Sequence, residues 1–86
     1  MTPTELRDAR AKLGALWGLG RPLMMTEMGR ALRLAGKDPG QSVRDYERGK
    51  TPISGPLSAI VDLYLAGAHP VDGLAAVVKR QMSEPV

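Results

Sequence analysis

Residues 38–56 read DPGQSVRDYERGKTPISGP, and this stretch decides how the rest of the chain is interpreted. Asp38 is a favourable N-cap residue, and Pro39 already has the backbone angle that the first helical position requires. Gly49 adopts a left-handed conformation without steric cost, so it favours the end of a helix. The stretch therefore predicts a helix over residues 38–48.

Few apolar residues would hold this predicted helix against a core. Val43 and Tyr46 are its only obvious inward-facing residues, so its polar face is wide. Half of the twelve Lys and Arg residues lie between Arg30 and Lys50, although the net charge of the chain is only +3. Arginine forms bidentate hydrogen bonds with phosphates and with guanine. A sparsely anchored helix in a basic segment therefore indicates a surface for an anionic partner.

Glycine and proline residues divide the rest of the chain into four further helical segments. Apolar residues recur at spacings of three and four in each segment, and strand-like alternation never extends beyond a few residues. The predicted segments run from residue 2 or 4 to Gly18, from residue 23 or 26 to Gly36, from 55 to 67, and from 71 to 82. The sequence thus predicts one all-α domain of five helices over residues 1–82, with a frayed tail at 83–86.

Composition excludes several classes of function. The chain has no cysteine and one histidine, which excludes disulfides, thiolate zinc sites and two-histidine metal motifs. No apolar run approaches the roughly 18 residues that a membrane span needs, and the N-terminus lacks the apolar region of a signal peptide. We therefore expect a cytoplasmic protein without membrane contact, metal, cofactor or enzymatic activity.

The order of residues in QSVRDYERGKT, residues 41–51, resembles the recognition helix and following loop of the phage-repressor/Cro-type (XRE-like) helix-turn-helix family. Residues 4–10 are similar to the first helix of that family. Residues 53–56, with the apolar segment that follows, are similar to the start of its fourth helix. The resemblance implies a repressor-like helix-turn-helix domain whose core motif spans residues 23–49.

The resemblance also implies a function. It suggests a small phage or bacterial transcriptional regulator that binds specific sequences of double-stranded DNA. Helix 38–48 would enter the major groove, and a homodimer would read two half-sites about one DNA turn, ~34 Å, apart.

Two features depart from the family pattern. Residues 14–23 lengthen the connection between the first and second helices. The turn after the second helix is also long, as measured from the last apolar anchor of the second helix to Val43, the first apolar anchor of the third. This spacing is eleven residues if the last anchor is Leu32, and eight residues if it is Ala35. We prefer Ala35, because Gly36 then occupies the turn, and this register predicts an unusually long second helix.

Three side chains of the predicted helix have the chemistry that reads base edges. Gln41 can bond adenine in bidentate fashion, Arg44 can donate to guanine, and Asp45 can accept from N4 of cytosine. Two alternatives stay open, since Gln41 is also placed to cap the helix or face solvent, and Asp45 to hold an arginine. Gly40 occupies a position where the family often has a base-reading side chain, so we expect the first turn to contribute less to readout.

Cationic and hydroxyl side chains around the predicted helix are candidate phosphate contacts. They are Thr26, Arg30, Arg33, Lys37, Ser42, Arg48, Lys50 and Thr51. Thr26 is also placed to cap the second helix, and the cations are also placed to face solvent. Glu47 is repelled by phosphate, and we expect it to pair with a cation such as Arg10 or Arg48.

Trp17 and the C-terminal helix, through Leu74 and Val78, are candidate dimer surfaces. The alternative function is a protein-interaction module, such as an antitoxin-like protein or an adaptor, that uses the helix-turn-helix scaffold without DNA. The methionines of the second helix, Trp17 and the C-terminal helix would then form the face that binds a protein partner.

Overall fold

A computed structural model describes residues 1–34, 36–71 and 73–78 of the chain. Within these ranges the chain forms five α-helices and no strand, which confirms the prediction of an all-α fold. In chain order they are α1 (Pro3–Leu16), α2 (Met25–Ala31), α3 (Pro39–Glu47), α4 (Gly55–Leu65) and α5 (Leu74–Val77). In the described part of the chain, no helix combines the length and the apolar character that a membrane crossing requires.

Helices α1, α3 and α4 begin where the sequence predicts, whereas α2 begins at Met25, with Met24 as its N-cap, rather than at Leu23 or Thr26. At α1, Oε1 of Glu5 accepts from the N–H of Thr2 at 2.7 Å, and Oγ1 of Thr2 accepts from the N–H of Glu5 at 3.1 Å, which is a reciprocal capping box. Ser54 caps α4 by accepting from the N–H of Leu57 at 3.3 Å. Asp38 occupies the N-cap position of α3, but its side chain makes no capping hydrogen bond to the described backbone.

The first four helices end in the same arrangement, a Schellman motif. A residue with positive φ follows each helix, and two N–H groups bond back to carbonyls of the last turn. At three of these ends the residue is glycine: Gly18 with φ of 79°, Gly49 with 76° and Gly67 with 117°. The predicted ends of α1 and α3 are therefore confirmed.

The end of α2 differs from the prediction of a long helix. The helix stops at Ala31, and Arg33 takes the positive-φ position with φ of 55°. The N–H of Leu34 closes the motif on the carbonyl of Gly29 at 3.0 Å, and the Leu34 side chain packs against the core. This packing offsets the left-handed conformation, which costs a non-glycine residue about 1 kcal/mol. Ala35, the preferred last anchor, lies outside the described residues.

The hydrophobic core is formed where α1, α2, α3 and α4 meet, and α5 adds Val77 to it. Its buried apolar residues are Leu6, Ala9, Leu13, Trp17, Leu23, Met28, Ala31, Leu32, Val43, Leu57, Val61, Tyr64 and Val77. The rings of Trp17 and Tyr64 meet edge to face, with centroids 5.4 Å apart and an interplanar angle of 71°. The Tyr64 hydroxyl donates to the carbonyl of Ala31 at 2.6 Å, so α4 is joined to the end of α2.

Helix α4 contributes less to the core than its composition predicts. Leu57, Val61 and Tyr64 are buried, but Ile60 is 36% exposed and Leu63 is 60% exposed. Because α4 packs mainly against α1, the other side of the helix stays at the surface.

The C-terminal helix begins later than predicted. The sequence predicts a start at residue 71, whereas α5 begins at Leu74 because Gly73 has φ of 89° and interrupts the helix. Val71 is instead 84% exposed. Residues 79–82 of the predicted helix and the predicted frayed tail, 83–86, lie outside the described residues.

Candidate nucleic-acid interface

Helix α3 has a buried face and an exposed face. Gly40, Val43 and Glu47 are buried toward the other helices. The opposite stripe, named here the exposed face of α3, consists of Gln41, Arg44, Asp45 and Arg48. These residues follow the spacing i, i+3, i+4, i+7, which places them on one side of a helix. Gln41 and Arg48 are exposed, and the other two are half-buried. The structure thus brings the three predicted base-reading side chains together on one face.

Glu47 anchors the buried face of α3 to α1. Its side chain is 4% exposed. It accepts hydrogen bonds from Nε of Arg10 at 2.7 Å and from Nη2 of the same guanidinium at 3.2 Å. Arg10 also donates from Nη1 to the carbonyl of Leu23 at 2.7 Å, and Arg7 lies 3.9 Å from the Glu47 carboxylate. The expected pairing of Glu47 with Arg10 is confirmed, and it holds the orientation of α3.

Two glycines allow α2 and α3 to approach closely. A Cβ at Gly29 would lie 2.6 Å from the Cβ and the carbonyl oxygen of Pro39. A Cβ at Gly40 would lie 2.9 Å from Oγ1 of Thr26. Gly40 therefore packs against α2, and the expectation that the first turn contributes less to readout stays a prediction. A side chain at this position would push α3 away from α2.

The exposed face of α3 carries a chain of hydrogen bonds between its own side chains. Nη1 of Arg44 donates to Oε1 of Gln41 at 3.0 Å, and Nε2 of Gln41 donates to Oδ1 of Asp45 at 3.0 Å. The carboxylate of Asp38 lies 3.7 Å from the Arg44 guanidinium. The Arg44 side chain is 38% exposed, so the chain is ordered and accessible to a ligand at the same time.

Exposed cations lie at both ends of α3, and one of them, Arg48, is also part of the exposed face. They are Lys37 before α3 and Arg48 and Lys50 at its end, named here the flanking cations. Thr51 is exposed beside them, and Ser42 is half-buried at the edge of the exposed face. The end of α3 is held by the N–H of Lys50, which bonds to the carbonyl of Asp45 at 2.9 Å. Five of the eight predicted phosphate contacts therefore lie on or around α3.

Two of the other three predicted phosphate contacts are side chains that contact other parts of the protein. Nη1 of Arg30 donates to the carbonyl of Val77 at 2.9 Å and ties α5 to α2. Thr26 is the second residue of α2 rather than its N-cap, and its Oγ1 lies against Gly40. Tertiary packing thus engages both half-buried side chains, and their contacts with phosphate stay predictions. Arg33 is exposed in the segment between α2 and α3.

Sequence reasoning missed a buried ion pair at the start of α2. Glu27 is 1% exposed and accepts hydrogen bonds from both terminal nitrogens of Arg21 at 2.8 and 2.9 Å. It also accepts from the N–H of Met24, the N-cap residue, at 2.7 Å. The hydrogen bonds from Arg21 hold the pKa of Glu27 below its ordinary value of 4.5. Burial of the carboxyl group opposes this lowering, and the hydrogen bond from the N–H of Met24 adds to it. The sequence carries no capping-box signal for this glutamate, because the N-cap residue of α2 is Met24 rather than Ser, Thr, Asp or Asn.

The same ion pair holds the long connection between α1 and α2. Arg21 lies in this connection, and the backbone of the connection crosses α1 at Gly14. A Cβ at Gly14 would overlap the carbonyl oxygen of Arg21. Gly14 is therefore a crossing point, and the lengthened loop is packed onto the domain.

The residues predicted to form a dimer surface pack largely against the core of their own chain. Trp17 is 8% exposed, so the prediction that it forms a dimer surface is wrong. Its indole is buried in the core against Tyr64. Leu74 and Val78 are half-buried and pack against the core, which leaves part of each side chain at the surface.

No protein-family model, curated protein or solved structure matches this chain.

Proposed function

We propose that this chain is a sequence-specific DNA-binding protein of the helix-turn-helix type, acting as a small transcriptional regulator. Helices α2 and α3 form the helix-turn-helix, and α3 lies in the major groove of double-stranded DNA. The observation that carries the proposal is the exposed face of α3. It presents four hydrogen-bonding side chains on one stripe, while Val43 and Glu47 hold the opposite side of the helix in the core. The major groove is about 12 Å wide and accepts one α-helix.

The distribution of charge supports one direction of approach to DNA. The flanking cations surround α3 at positions where phosphates would lie on either side of a groove. By contrast, the charged residues that line the groove between α1 and α4 are three carboxylates, those of Glu5, Asp8 and Asp62, and one cation, Lys12. Phosphates would repel that surface, so the α3 side is the favoured contact.

A single short helix reads only a few base pairs, so we propose that two copies bind together. Each copy would place α3 in the major groove of one half-site, with the two half-sites about 34 Å apart. The exposed parts of Leu74 and Val78 on α5 are candidates for the contact between the copies.

A protein-interaction module is the second candidate function, and one observation favours it. Leu16 is 58% exposed and Leu63 is 60% exposed, which provides apolar surface away from the exposed face of α3. Of the residues expected to form that face, Met28 is 0% exposed and Trp17 is 8% exposed, whereas Met24 is 55% exposed and adds to this apolar surface.

Fluorescence anisotropy with a labelled random-sequence duplex, measured over a series of salt concentrations, tests the proposal. The three flanking cations predict a log–log slope of about −2.7 per copy, since each neutralised phosphate contributes about −0.9. Replacing Arg48 with Ala should make this slope less steep by about 0.9.

Lys12→Ala is the matched control for Arg48→Ala. Lys12 is an exposed cation that lines the groove between α1 and α4, so its removal changes the net charge equally without removing a contact. The proposal predicts an unchanged slope for this variant. Absence of binding at low salt would contradict DNA binding, and equal effects of the two substitutions would contradict the use of α3.

A further inference from the structure

We infer that Arg44 and Asp45 together read one G·C base pair, and that Gln41 is a positioning residue that holds them side by side. This inference rests on the proposed function and specifies which base pair the exposed face of α3 selects.

The hydrogen bonds on the exposed face arrange the two charged side chains around one amide. Oε1 of Gln41 accepts from Nη1 of Arg44, and Nε2 of the same amide donates to Oδ1 of Asp45, both at 3.0 Å. The guanidinium and the carboxylate are thus held as neighbours with the amide between them. Arginine has five N–H donors and a carboxylate has about four acceptor sites, so each group keeps hydrogen-bonding capacity for a ligand.

The resulting pattern matches one base pair. Arg44 offers two donors and Asp45 offers an acceptor beside them. In the major groove a G·C pair presents N7 and O6 of guanine as acceptors and N4 of cytosine as a donor. The guanidinium therefore bonds the guanine edge, and the carboxylate accepts from the cytosine amino group.

An A·T pair matches the donors of Arg44 and the acceptor of Asp45 at only one of these three positions on the base edge. Its major-groove edge presents N7 as an acceptor, N6 as a donor and O4 of thymine as an acceptor. The second donor of Arg44 would meet the N6 amino group, and the Asp45 carboxylate would meet O4. The negative charge of Asp45 also disfavours contact with phosphates, so the pair selects for a base edge.

This arrangement gives Gln41 a different role from the adenine reader that the sequence alone predicts. Bidentate contact with adenine requires both the carbonyl oxygen and the amide nitrogen of glutamine. In Gln41 both atoms already bond to neighbours on the helix. Using them on adenine would require releasing Arg44 and Asp45, so positioning is the favoured role.

Selection of bound duplexes from a random-sequence pool, followed by competition with the best site, tests the inference. Wild-type protein should select a site with one strongly preferred G·C position. Arg44→Ala should abolish the preference at that position. Asp45→Ala should allow A·T there, because N7 remains a contact for Arg44, with discrimination falling about 5- to 150-fold.

Gln41→Met separates positioning from direct readout. This substitution keeps a side chain of similar length and removes both hydrogen bonds. Positioning predicts weaker discrimination at the same G·C position and unchanged preferences elsewhere. Loss of an A·T preference at a different position would show direct readout by Gln41 and would overturn the inference.

Two controls keep the outcomes distinct. Arg48→Ala should lower affinity uniformly and leave the selected sequence unchanged. Thermal unfolding should show that every variant stays folded, because none of these side chains is buried. Wild-type protein that enriches no sequence would contradict the proposed function itself. Enrichment that lacks a G·C position dependent on Arg44 and Asp45 would overturn only the inference.

Discussion

On the buried face of α3, Glu47 binds Arg10 directly through two hydrogen bonds, whereas on the exposed face Arg44 and Asp45 both bond to Gln41. Each of these two networks contains an arginine and a carboxylate. They differ in exposure, because the Glu47 side chain is 4% exposed and the Arg44 side chain is 38% exposed. A buried charge must keep its partner, while a charge at the surface can exchange its partner for water or a ligand.

This difference separates charges that hold the fold from charges that are available for binding. Removing one member of a buried pair leaves an uncompensated charge, which is strongly destabilising. Removing a member of an exposed network changes stability little. Substitutions on the buried face should therefore act on unfolding, and those on the exposed face should act on DNA binding.

The largest expected effect is that of Glu47→Gln. The substitution removes the charge that compensates Arg10, so we expect a loss of about 3–5 kcal/mol in the free energy of unfolding, measured by urea denaturation. Asp45→Asn is the matched control, since it makes the same chemical change on the exposed face of the same helix. It should alter stability by less than about 0.5 kcal/mol. Similar losses for the two variants would contradict the distinction between the faces.

A smaller effect is expected at the contact between α2 and α3. Gly40→Ala places a Cβ about 2.9 Å from Oγ1 of Thr26, and we expect overpacking to reduce stability by about 2 kcal/mol. Gly55→Ala is the control, because a Cβ at this helical glycine of α4 meets no described atom within 4 Å. Chemical denaturation of both variants measures the difference. A Gly40→Ala variant as stable as Gly55→Ala would contradict the close approach of α3 to α2.

The smallest of these effects concerns Glu27, and it depends on pH. Because its pKa in the folded chain lies below the ordinary value of 4.5, its carboxylate stabilises the fold at neutral pH and loses this contribution as pH falls through the lowered pKa. We expect Glu27→Gln to reduce stability by about 1 kcal/mol at neutral pH, less than Glu47→Gln, because the Arg21 side chain that loses its partner is 36% exposed and stays hydrated, whereas that of Arg10 is 17% exposed. The difference from wild type should narrow as pH falls below 4.5.

Denaturation at several pH values measures the Glu27 effect. Glu5→Gln provides the control, because Glu5 occupies the equivalent capping position of α1 but is exposed. It should destabilise the chain less than Glu27→Gln. A difference that stays constant with pH would mean that the Glu27 charge does not stabilise the fold.

Local features of the fold could be predicted from the sequence, because they depend on neighbouring residues. Thr2 and Ser54 start helices through their own side chains, and Gly18 and Gly49 end helices because they accept positive φ. The exposed face of α3 follows from the scarcity of apolar residues on that helix. These features require no knowledge of distant contacts.

The features that could not be predicted depend on residues far apart in the chain. Arg30 bonds to a carbonyl 47 positions away, which no periodicity reveals. The close packing at Gly40 could not be predicted because its neighbour is Thr26 on another helix. The end of α2 was misplaced because packing of Leu34 favours a left-handed Arg33 over the glycine that local rules favour.

The central claim is that the exposed face of α3 binds the major groove of DNA. Backbone amide chemical shifts, followed by NMR while a random-sequence duplex is added, test it most directly. We expect the largest changes over residues 41–51, which include the exposed face and two of the flanking cations, and small changes along α4. Changes concentrated on α4 and the C-terminal end of α1, or none at all, would contradict the claim.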